Sequence, residues 1–137
     1  MAVAADASVV LELYKLRQET TLRAARQFVA MDFWPKDVEE LRTVSRAPGT
    51  DKNAYWRQVL SYWEMAAALV LRGAVDADLF FDTNGEGLFI YAKYHHWHVE
   101  TEKESGNTFM SNTAALIAKY PAAAAIHDRI VKSIAAK

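Results

Sequence analysis

Apolar residues recur along the chain at spacings of three and four, the helical period, and no stretch sustains the alternation that a half-buried strand needs. Val9, Leu13, Leu16, Ala24 and Met31 fall on one stripe, with Thr20 and Gln27 inside it, and Val10, Tyr14, Ala25 and Phe28 form a second stripe about 100° away. This pattern predicts one long helix over residues 6–31, covered on two sides. Pro35 bars the residue before it from helical geometry and suits the first turn of a short helix over residues 36–44. Phe33 and Trp34 plug the corner between them, and Ala47-Pro48-Gly49 marks a loop.

The next segment predicts the centre of the fold. Residues 51–72 open on Thr50 or Asp51 as a cap and stop at Gly73. Trp56, Val59, Leu60, Trp63, Ala67, Val70 and Leu71 form one face, which Tyr55, Tyr62, Ala66 and Leu69 extend. Arg57, Ser61, Glu64 and Arg72 leave only a narrow polar strip, as expected of a helix covered around most of its circumference. Residues 76–81 read as a helical turn or two. Thr83-Asn84-Gly85-Glu86 matches a capping box for a helix reaching about residue 104, where Gly106 stops it. A helix from 107 or 108 to 119 follows, and Pro121 opens a last one in which Ile126, Ile130 and Ile134 repeat, with His127, Asp128, Lys132 and Lys137 outward. The expected fold is all-α: one domain over residues 1–137, five to seven helices around the helix at 51–72.

Composition narrows the function classes. The 137 residues contain no Cys, which excludes disulfides, thiol catalysis and thiolate-bound zinc or iron–sulfur clusters. A net charge of -1 without a basic stripe gives no attraction to nucleic acid. No apolar run approaches the ~20 residues of a membrane span, and the start lacks the pattern of a secretory signal. These features predict a soluble cytoplasmic protein without membrane or nucleic-acid partners. Acidic residues concentrate in 74–104, from Asp76 to Glu104, against Lys93 and Lys103 alone.

Three clusters could carry chemistry. On a continuous helix His95, His98 and Glu102 share a row, and two imidazoles with a carboxylate suit a transition metal if another helix adds a ligand such as Glu64. The competing reading is a polar seam, with His95 hydrogen-bonded in the core and no cofactor. Asp82 to Gly87 reproduces the opening of a calcium loop, but the position that needs a bidentate Glu is Lys93. Glu64, set among aromatics, must pair with Arg57 or another helix's Arg, cap a neighbouring helix, or carry a raised pKa of the kind general acid or base work uses, because an unpartnered buried carboxylate is costly. Patterns for nucleotide-binding loops and for serine or metal hydrolases are missing.

Tyr55-Trp56-Arg57-Gln58-Val59-Leu60-Ser61-Tyr62-Trp63-Glu64-Met65, followed by Val70, Gly73, Asp76, Leu79 and Phe80, resembles a bacterial family of helical domains known only as a domain of unknown function. The resemblance covers about residues 51–104 and implies an all-α fold and a bacterial source, with no activity. The expected role is a non-catalytic protein-interaction or scaffolding module. A homodimer would form through the first helix or the helix over 87–104, whose Tyr94 and Trp97 lie opposite Leu88, Ala92 and Val99. The alternative is a helical bundle that binds a metal or small ligand through His95, His98, Glu102 and Glu64.

Overall fold

Thr50 accepts the Asn53 amide through its hydroxyl and so starts the longest helix, Asp51–Leu71, which becomes α4 of the computed structural model. The structure describes residues 1–136, so Lys137 lies outside the described residues. Among them run α1 (Ala4–Arg17), α2 (Thr20–Arg26), a π-helical segment (Gln27–Asp32), α3 (Val38–Ser45) and α4. There follow α5 (Ala77–Thr83), α6 (Glu86–Tyr94), a 3₁₀ turn (His95–Trp97), α7 (Val99–Ser105), α8 (Ser111–Lys119) and α9 (Pro121–Ala135). The fold is all-α. α4 packs against α2, α3 and α8, while α6 packs against α8 and α9. Trp56, Val59, Tyr62, Trp63, Ala66, Ala67 and Val70 of α4 enter a core shared with Leu22, Val29, Ile90, Tyr94 and Leu116. Gly87 admits α6 to this core, since a Cβ there would sit 3.3 Å from the Trp63 side chain.

Two helices expected to be continuous are divided: the one over 6–31 by a capping side chain, and the one over 87–104 by the 3₁₀ turn His95–Trp97. The segment over 6–31 breaks at Gln18 and Glu19. Glu19 is extended, at φ -61 and ψ 136, and its carboxylate accepts the amides of Thr21 and Leu22 to start α2. The break changes the helical phase. Leu16, Ala24 and Met31 of the predicted stripe are exposed, whereas Leu22, Ala25, Val29 and Ala30 are buried. The capping box at Thr83 is also absent. Thr83 closes α5 by donating to the Leu79 carbonyl, Gly85 precedes α6, and Glu86 reaches away to Arg26 and Trp63. In α9, His127 turns partly inward against Tyr91, with ring centroids 5.6 Å apart, while Asp128 and Lys132 stay exposed.

The π-helical segment ends inside the core, so its last carbonyls need donors from elsewhere. The Lys93 ammonium, on α6, donates to the carbonyls of Val29 (3.0 Å) and Ala30 (3.1 Å). The Tyr94 hydroxyl donates to Val29 and also lies 3.2 Å from the Phe33 carbonyl. A cation at this end also meets the negative pole of the helix. Trp34 covers the amine, its ring centroid 3.8 Å from Nζ, and Phe33 stacks on Phe28 and Tyr94. Burial pushes the Lys93 amine down to about 8, with the Asp32 carboxylate opposing the shift. An unfolded lysine titrates near 10.4. Below pH 8 both states are protonated and the buried charge carries its full cost. Above about pH 10.5 both are neutral and that cost is gone, so between the two the unfolded chain holds more protons and stability rises with pH. Chemical denaturation from pH 7 to 10.5 should show wild type gaining on the order of 3 kcal/mol relative to Lys93→Met. Parallel curves for the two proteins would contradict this.

Candidate functional site

The polar strip of α4 does not form the expected pair. Arg57 turns back one helical turn, and its Nε donates to Asn53 Oδ1 at 2.9 Å. Asn53 is itself buried, and its Nδ2 donates to the last buried carbonyl of α3, that of Val44, at 2.8 Å. Glu64 faces the other way, towards the start of α8. Its Oε1 accepts the Asn112 amide at 2.9 Å, and its Oε2 accepts the Thr113 amide at 2.9 Å and the Thr113 hydroxyl at 2.7 Å. These are the positions that a capping side chain normally serves. Met110 precedes α8 in a left-handed conformation, φ 45, and has no side-chain oxygen to serve them. Glu64 therefore supplies from another helix the cap that the local sequence lacks.

The helix expected over 87–104 bends at the 3₁₀ turn, so His95, His98 and Glu102 do not form a row. Glu102 folds back to His95, with Oε1 2.9 Å from Nε2, and its Oε2 accepts the Phe109 amide at 2.8 Å. Burial, the largest single influence on that carboxyl, pushes it up. The Phe109 amide and His95 together outweigh burial and hold it below the usual range. His98 bonds elsewhere: its Nδ1 lies 2.9 Å from the Tyr94 carbonyl. Because a carbonyl can only accept, Nδ1 carries the proton and Nε2 presents its lone pair. The imidazole stacks on Phe109, centroids 3.9 Å apart and planes 6° from parallel. With Glu64 committed to α8, the four residues proposed to share a metal do not converge. Among the described residues no three His, Asp or Glu side chains are placed to hold an ion.

Tyr94 is not a surface residue. It is fully buried, edge-on to Trp56 at 4.8 Å, and burial raises its hydroxyl far above the ordinary value. It continues the stripe of Gly87, Ile90 and Tyr91 that α6 buries. Trp97 is half-buried beside His96 at the turn. The exposed apolar surface lies instead on α1, which buries only Leu13 of its 14 residues. Leu11 (60% exposed) and Tyr14 (54%) face solvent on one side of the helix, and Leu16 (48%) faces it on another, beside Met65 (44%) of α4. An apolar groove of about 450 Å³ runs between Leu16, Leu22, Tyr62 and Met65. Of these exposed α1 residues, Leu16 belongs to the first predicted stripe and Tyr14 to the second, whereas Leu11 belongs to neither.

Residues 2–120 match the family described as Domain of unknown function (DUF4760), a span that includes every element except α9. No curated protein and no solved structure matches the chain. No helix among the described residues is long and apolar enough to cross a membrane.

Two measurements follow from this geometry. Glu64→Gln replaces one accepting oxygen with a carboxamide NH2 that faces the α8 amides as a donor, and should lower unfolding free energy by about 2 kcal/mol in urea. Amide exchange at Asn112 and Thr113 should accelerate with it. For His98, burial, the first influence, lowers the imidazole below its ordinary value despite the Tyr94 carbonyl and Glu102. The ring should thus be neutral at pH 7, and its NMR titration midpoint should fall below about 6.5.

Proposed function

The chain belongs to the DUF4760 family, whose description assigns no activity, and we propose that it is a non-catalytic interaction module that pairs with a second copy through α1. The observation that carries this reading is the imbalance of α1: one buried residue against the exposed Val3, Leu11, Tyr14 and Leu16. Leu11 and Tyr14, three residues apart, share one side of the helix, and covering a large apolar side chain contributes roughly 1.5–3 kcal/mol before the cost of association is met. The charges on the same helix favour self-pairing. Glu12 and Lys15 lie one turn apart, 3.6 Å between charged atoms, so an antiparallel copy of α1 meets each with the opposite sign.

Sedimentation equilibrium of the wild type and of Leu11→Glu tests the reading. Wild type should dimerise, and the variant should weaken the dimer at least tenfold, about 1.4 kcal/mol, with unchanged helical circular dichroism. A wild type that stays monomeric at high concentration overturns the proposal. So does a dimer that the substitution leaves intact.

A further inference from the structure

The bend at His95 opens a cleft of about 320 Å³ between α7 and the segment leading to α8, with Arg46, at the end of α3, on its rim. Three features of this cleft belong to neither the core nor α1. His98 is fixed on both counts that matter for recognition. The Tyr94 carbonyl sets its tautomer and the Phe109 ring sets its plane. Its Nε2 has no hydrogen-bond partner among the described residues, and the ring lines the cleft. Arg46 is exposed, and among the described residues no carboxylate pairs with it. Glu102, the carboxylate of the cleft, is already held by His95 and the Phe109 amide.

We infer that this cleft binds a small hydroxy acid, whose carboxylate pairs with Arg46 while its hydroxyl donates to His98 Nε2. Each half of the ligand follows from one residue. A guanidinium without a counter-ion takes a carboxylate in fork geometry. A neutral imidazole nitrogen with its lone pair outward repels an anionic oxygen and accepts from an O–H. The hydroxyls of Thr101 and Thr108 line the same cleft and can serve the remaining ligand oxygens. The volume exceeds that of a two-carbon acid and leaves room for a side group.

The test compares 3-phenyllactate with 3-phenylpropionate, which differ by the hydroxyl alone, against full-length protein labelled with ¹⁵N. Phenyllactate should move the His98 Nε2 resonance saturably, and phenylpropionate should bind at least tenfold more weakly. Arg46→Gln, a change on the surface, should weaken phenyllactate at least tenfold. His98→Phe keeps the stacking on Phe109 and should erase the preference between the two acids. Equal binding of the two acids overturns the assignment. So does a resonance that does not saturate, or phenyllactate binding that Arg46→Gln leaves unchanged. The oligomeric state of the protein decides neither result.

Discussion

A helix end that reaches the interior carries amides or carbonyls that its own turns do not satisfy, and the nine α-helices of the described residues produce many such ends. In this protein they are satisfied across the fold. Glu64 of α4 closes α8, Asn53 of α4 closes α3, and Lys93 and Tyr94 of α6 close the π-helical segment. The Tyr62 hydroxyl donates to the Leu13 carbonyl of α1, and Asp6 of α1 accepts the amide of Asp76 at the head of α5. No buried side-chain nitrogen or oxygen among the described residues is left without a partner. Apolar contacts bring the helices together without fixing their register. These directed bonds fix it.

The same exchange explains a charged side chain at the centre. Arg26 grips Glu86 through two nitrogens, at 2.8 and 3.2 Å, and the Trp63 indole donates to the same carboxylate at 2.9 Å. One carboxylate thereby joins α2, α4 and α6. Arg17 adds the bend between α1 and α2 to this network through Asn84 and Tyr62. The outer surface of α1 takes no part in it.

What the sequence made legible was whatever a single helix declares by itself. Thr50 and Gly73 bounded α4, Pro121 opened α9, and the wide apolar face of α4 identified it as the centre, because caps, stops and periodicity are local. The breaks at Glu19 and His95 were hidden. A glutamate that caps two amides reads as an ordinary helix former, and the bend at His95–Trp97 carries no Gly or Pro to mark it. The candidate site suffered for the same reason. Helical spacing puts His95, His98 and Glu102 in one row only on a continuous helix, and the bend removes that condition. Glu64 was recognised as needing a partner, and the partner was a helix end rather than Arg57. Tyr94 was placed on the wrong side because its depth is set by the π-helical segment more than sixty residues earlier.

The span of these caps has a consequence for how the molecule opens. Glu64 and Thr113 are 49 positions apart, and Lys93 and Val29 are 64 apart. Loosening α8 strands a carboxylate on α4, and loosening α6 strands carbonyls near the start of the chain. Local fluctuations are thereby made costly at a distance, so protection from exchange should decay together across the helices. The outer turns of α1 stand outside this linkage and can move alone.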